Sequence, residues 1–124
     1  MKRDVGLFIE DILDSIKNIE EFSKSLDREK FSKDNLRQRA IIRQLEIIGE
    51  AVKNMPNSFR ATHPKIAWRD IAGFRDILSH AYFGVNLGRV WKIIETDLPK
   101  LKKEISSLNK TEEDLKKGKT KSKV

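Results

Sequence analysis

A chain of 124 residues with 26 Lys and Arg against 19 Asp and Glu carries a net charge of +7. That length makes one domain, large enough for a real hydrophobic core but small enough for pairing to help. It has no cysteine, which excludes disulfides, zinc–thiolate sites and cysteine nucleophiles. His63 and His80 are the only two histidines, and their separation argues against a histidine-rich metal site.

No apolar run approaches membrane-spanning length, and Met1-Lys2-Arg3-Asp4 leads into a charged amphipathic segment unlike a signal peptide, so the expectation is a soluble cytoplasmic protein with no membrane role. The basic excess favours a polyanionic partner, with nucleic acid the commonest, although solubility alone would also account for it. Residues 110–124 hold six lysines and three acidic residues.

Helical periodicity organises the chain. Val5, Phe8, Ile9, Ile12, Ile16 and Ile19 recur at three- and four-residue steps and predict a helix over about 3–25. A second helix starts after Ser32 or Asp34, either a suitable N-cap, and carries Ile41, Leu45, Ile48, Val52 and Met55 until Pro56 ends it. Ile47 and Ala51 widen its stripe, so it is buried on more than one side. Gly49 inside it costs about 1 kcal/mol relative to alanine, which points to a close helix–helix approach there.

Residues 56–65 read as a connector with room for one helical turn. A third helix is expected from Ile66 to near His80, with Trp68, Ile71, Ala72 and Ile77 or Leu78 as its apolar contacts. Gly84 breaks the pattern and Asn86 is a good N-cap for a last helix. Leu87, Val90, Trp91, Ile94, Leu98, Leu101, Ile105 and Leu108 form its stripe, with a kink expected at Pro99. Beyond it, 109–124 reads as a lysine-rich disordered tail. No segment alternates like a strand, so residues 1–108 predict an all-α bundle of four to five helices, antiparallel where connections are short.

The segment Arg75-Asp76-Ile77-Leu78-Ser79-His80-Ala81-Tyr82 brings a fixed cation, a carboxylate, an imidazole and a phenol close together. A cation beside a proton shuttle is a minimal kit for phosphodiester cleavage without a metal: histidine moves the proton and arginine stabilises the phosphorane charge. Asp76 and His80 are four apart, so the carboxylate can orient the imidazole. Arg75 and His80 stand about 140° apart on a straight helix, so they converge on one phosphate only if the helix unwinds near residues 79–82 or a second chain completes the site. On spacing alone a histidine such as His80 is more often a capping or packing residue than a catalyst, and Tyr82 more often a core-edge aromatic.

Other features have blander readings beside their chemical ones. Glu46 and Glu50 share the spacing of an acid/base pair and of ordinary ion-paired glutamates. Arg37, Arg39 and Arg43 can track an RNA backbone or simply face solvent. His63, before Pro64, reads as structural or exposed, and Trp68 and Trp91 sit at core spacing rather than as base-stacking platforms.

Arg43 through Ala51, His63-Pro64 with Trp68 through Gly73, Arg75 through Tyr82, and Phe83-Gly84-Val85 with Val90-Trp91 together resemble the HepT-like branch of the HEPN superfamily. The resemblance covers residues 3–108. It implies an all-helical homodimer whose Arg-x4-6-His motifs line a shared, composite active site, and a metal-independent endoribonuclease needing no cofactor.

Carried over, Arg75 and His80 are the catalytic pair and Asp76 the polar residue after the motif arginine. The resemblance further implies a toxin of a type VII toxin–antitoxin module. Its cognate partner is an MNT-type nucleotidyltransferase antitoxin that transfers AMP onto the tyrosine of Arg-x4-His-x-Tyr, here Tyr82, and so silences RNA cleavage. The competing reading is a non-catalytic nucleotide- or RNA-binding subunit of a minimal nucleotidyltransferase.

Overall fold

The computed structural model describes residues 4–75 and 86–108, which form six helices and no strand. The first, α1 (Val5–Ser23), starts at Asp4, whose Oδ1 accepts the Gly6 N–H at 3.1 Å. Its stripe Phe8, Ile9, Ile12, Ile16 and Ile19 is buried. Full burial of one such side chain contributes roughly 1.5–3 kcal/mol.

The third helix, α3 (Asn35–Asn54), is capped by Asp34, whose Oδ1 accepts the Arg37 N–H at 3.0 Å. Of the two caps expected for it, Asp34 is the one used. Helix α3 lies antiparallel beside α1, with the Asn18 amide donating to Gln44 Oε1 at 3.2 Å across the pair. Ile41, Leu45, Ile48, Gly49, Ala51 and Val52 are buried, which is the two-sided burial expected of this helix.

Between them sits α2 (Arg28–Lys33), a helix that the periodicity does not announce. It is six residues long, too short to show a stripe, and is held by the Asp27 cap and by one buried residue, Phe31. The Phe31 ring packs 5.4 Å from that of Trp91 and the Phe31 carbonyl oxygen accepts from Gln38 Nε2 at 2.8 Å, so the short helix is tied to both α3 and the last helix.

The connector does contain one short helix, α4 (Asn57–Ala61). Trp68 Nε1 donates to the carbonyl oxygens of Arg60 and His63 at 3.1 and 3.0 Å, tying the start of α5 to the end of α4. The His63 ring lies 4.7 Å from Phe59, so its role here is packing.

The expected helix from Ile66 to His80 is not continuous where the structure describes it. Helix α5 (Trp68–Ala72) ends at Gly73, whose N–H donates to Arg69 O at 3.0 Å; Phe74 and Arg75 are helical again after that turn. A Cβ at Gly73 would stand 3.2 Å from Asp70 O. A side chain there would make a tight contact that the neighbouring backbone must relieve by a few tenths of an ångström, and Trp68, Ile71 and Phe74 are buried on either side of the turn.

The last helix, α6, begins as Leu87–Lys92 behind the Asn86 cap, which accepts the Arg89 N–H at 3.1 Å. It widens into a π turn over Ile93–Asp97, where the Leu98 N–H reaches back to Ile93 O, and then runs on as α-helix over 98–108. Proline lacks a backbone donor and crowds the carbonyl four residues before it. The disturbance expected at Pro99 therefore takes the form of an extra residue in the turn ahead of it. Leu98, Leu101, Ile105 and Leu108 remain buried, and Lys102 Nζ meets Glu20 Oε2 of α1 at 2.9 Å.

No helix among the described residues is long and apolar enough to cross a membrane. The tail 109–124 and the segment Asp76 to Val85 lie outside the described residues.

Candidate active site

Gly49 fixes where Arg75 begins. A Cβ at position 49 would stand 2.9 Å from the Arg75 backbone nitrogen, 3.2 Å from its Cβ and 3.3 Å from Ala72 O. The backbone of 72–75 therefore lies directly against α3 at the one residue that has no side chain. The close approach expected at Gly49 is present, and its partner is the chain leading into the Arg-x4-His-x-Tyr motif. Arg75 is half-buried.

From there the Arg75 side chain lines a cleft between α3, α5 and the start of α6. Five further cations share its walls: Arg28, Lys53, Arg69, Arg89 and Lys92, against two carboxylates, Asp70 and Asp97. Among the described residues none of these six cations has an ion-pair partner. Outside the cleft, four of the described cations are paired. Arg43 Nη1 meets Glu46 Oε2 at 3.1 Å, Arg37 Nε lies 3.8 Å from Asp34 Oδ2, and Lys33 and Lys102 pair with Glu29 and Glu20.

Of the residues singled out by sequence, Arg75 is placed in this cleft. Asp76, His80 and Tyr82 lie outside the described residues. Arg37, Arg39 and Arg43 do not line the cleft: the first and third are ion-paired as above, and Arg39 is exposed. Glu46 is engaged by Arg43 and Glu50 is exposed. Trp68 and Trp91 are buried, as their spacing predicts.

The sequence reading missed Arg28, Lys53, Arg69, Arg89 and Lys92. Two signals were available. Lys53 is four residues from Gly49 and so shares its helix face, and Arg89 and Lys92 are three apart just after the Asn86 cap. Arg28 sits on the helix that periodicity does not reveal.

The sequence matches the family described as Ribonuclease HepT-like over residues 12–108, a span that contains Gly49, the cleft and the whole Arg-x4-His-x-Tyr motif. The chain belongs to the HepT-like ribonuclease family. A probable ribonuclease HepT of Thermococcus cleftensis is 48% identical over 110 residues, covering 89% of this chain and 100% of its own.

A Methanocaldococcus jannaschii protein provisionally named an RNase is 44% identical over 104 residues, covering 84% of this chain and 95% of that one. Another from the same organism, named both a gamma-glutamylcyclotransferase and provisionally an RNase, is 46% identical over 105 residues. Those residues are 85% of this chain but 47% of that longer protein. No solved structure matches the chain. The HepT-like assignment agrees with the all-α architecture, and the family resemblance read from Arg43–Ala51, Trp68–Gly73 and Arg75–Tyr82 is the one the match supports.

Proposed function

We propose that this HepT-like chain is a metal-independent endoribonuclease in which Arg75 and His80 carry the chemistry and Asp76 orients the imidazole. The observation that carries this reading is the placement of Arg75: it is set against Gly49 and lines a cleft whose cations form no ion pair among the described residues, five positions ahead of His80 in sequence.

In the reaction, neutral His80 takes the proton of an RNA 2′-hydroxyl, and the freed oxygen attacks the adjacent phosphorus in line. Arg75 stabilises the charge that develops on the phosphoryl oxygens. The P–O5′ bond breaks and the leaving oxygen takes a proton, supplied in a homodimer by the partner subunit's His80, leaving a 2′,3′-cyclic phosphate and a 5′-hydroxyl. The attacking group belongs to ribose, so DNA is spared.

The same reading includes a cytoplasmic toxin of a type VII module, held in check by an MNT-type nucleotidyltransferase. That enzyme joins the Tyr82 phenol oxygen to the α-phosphorus of ATP, releasing pyrophosphate. The added anion would take the place of the substrate phosphate beside Arg75 and His80. Tyr82→Phe removes the acceptor oxygen. Incubated with the cognate nucleotidyltransferase and ATP, the wild type should gain the mass of AMP and the variant should not; equal labelling of both would move the modification elsewhere.

The deciding experiment is purified protein with total RNA in EDTA, followed by analysis of the cleaved ends. Cleavage to 2′,3′-cyclic phosphates supports the reading. An inert dimer whose intact mass shows no AMP would instead favour a binding subunit of the nucleotidyltransferase.

A further inference from the structure

The cleft holds more positive charge than one scissile phosphate needs. Arg75 comes to the cleft from the 72–75 segment, Arg89 and Lys92 from the first turns of α6, and Arg28 from α2. The Arg28 head is laid over Gly88: a Cβ at position 88 would stand 3.0 Å from Arg28 Nη2 and 3.9 Å from its Cζ. Three cations thus share the beginning of one helix, where the exposed backbone N–H groups add further positive character.

Like charges held together raise the free energy of the unliganded protein, and a polyanion relieves that repulsion. Among the described residues, Asp70 and Asp97 are the acidic members of the lining, against six cations. The one aromatic among those described residues, Phe74, is buried. The described part of the wall therefore offers charge to phosphates and no exposed ring on which a base can stack.

We propose that Arg28, Arg89 and Lys92 form a backbone-tracking subsite that binds the phosphates flanking the scissile one in a single RNA strand. The proposal rests on the ribonuclease reading above and adds a substrate class to it: an oligonucleotide held by several phosphates without base readout at this wall, rather than a dinucleotide or a mononucleotide.

The test uses the full-length protein and a labelled 2′-O-methyl RNA of about 12 nucleotides, a length within the usual single-strand site range, which lacks the attacking hydroxyl. Binding is measured by fluorescence anisotropy across a salt series. Arg89→Glu/Lys92→Glu should weaken binding at least about tenfold and flatten the log–log salt dependence by roughly one to two units. Lys100→Glu/Lys103→Glu makes the same change of charge further along α6, on exposed residues outside the cleft, and should bind as the wild type does. Arg89→Gln/Lys92→Gln serves if the double reversal does not fold, with a smaller loss in the same direction.

Equal weakening by both reversed pairs, or by neither, overturns the subsite. So does competition by AMP or inorganic phosphate as effective as that by unlabelled RNA, which would make the wall a mononucleotide pocket. Cleavage of ordinary RNA is followed in parallel. Selective loss of binding without wild-type cleavage would leave the subsite standing and sink the nuclease reading. Wild-type cleavage with unchanged binding by the reversed pair would sink the subsite alone.

Discussion

His80→Ala should lower the rate of RNA cleavage by about 10²–10⁴-fold, the range for removing a positioned general acid–base group. The upper half of that range applies if the homodimer uses one His80 as base and the other as acid, because a single substitution then removes both. Helix content and melting temperature should stay near the wild-type values, since the substitution removes no residue of the described core. Two controls sharpen the result. RNA with 2′-deoxyribose at the cleaved position should resist the wild type completely, because it lacks the attacking oxygen itself, whereas ordinary RNA should be cleaved by the variant at the residual rate. Cleavage by His80→Ala at the wild-type rate would remove the proton shuttle from the mechanism and leave the cleft as a binding surface.

The second large effect belongs to a residue with no chemistry of its own. Gly49→Ala places a Cβ 2.9 Å from the Arg75 backbone nitrogen, a contact that cannot be relieved by rotating a side chain. Either α3 or the 72–75 segment must move, and such overpacking costs about 1–3 kcal/mol. Activity should fall further than stability requires. A displacement approaching 1 Å of a group that contacts the reacting phosphate is worth about 10²-fold in rate, and Arg75 is the group displaced. Gly6→Ala is the matched control. There the added carbon meets only Asp4 atoms at 3.7–3.9 Å, an ordinary contact, and alanine in a helix is favoured by up to about 1 kcal/mol. Thermal melts and cleavage rates measured well below the transition separate the two effects. A Gly49→Ala protein with lowered melting temperature but an undiminished rate would show that the close approach serves packing alone.

Much of this architecture is legible in the sequence because long helices repeat their signal. The stripes of α1, α3 and α6 each contain five or more apolar residues at helical spacing, and Asp34, Pro56 and Asn86 mark ends by side-chain chemistry that acts locally. Helix α2 escapes because six residues with one buried Phe31 contain no period to detect. The turn at Gly73 escapes for the opposite reason: Trp68, Ile71, Ala72 and Ile77 fit one uninterrupted helix, and the local pattern holds no signal of the turn between them. Position 49 itself was readable as a close approach, but its partner was not. The cleft is the least legible part. Its cations come from α2, α3, α5, the 72–75 segment and α6, and nothing in the order of the chain says that Arg28 and Arg89 are neighbours.

The π turn at Ile93–Asp97 acts on α6 as a frameshift acts on a reading frame. Every regular residue advances the helix by about 100°, so one extra residue in that turn re-phases all that follows it. Before the shift α6 buries Val90 and Trp91 while showing Arg89 and Lys92 to the cleft, and after it Leu98, Leu101, Ile105 and Leu108 are buried. One continuous helix can therefore keep both halves in the core, provided the spacer between them keeps its length. Insertions and deletions in this helix are accordingly not equal: a change of one residue between 93 and 97 scrambles the whole apolar half, whereas the same change beyond Leu108 leaves every buried position intact.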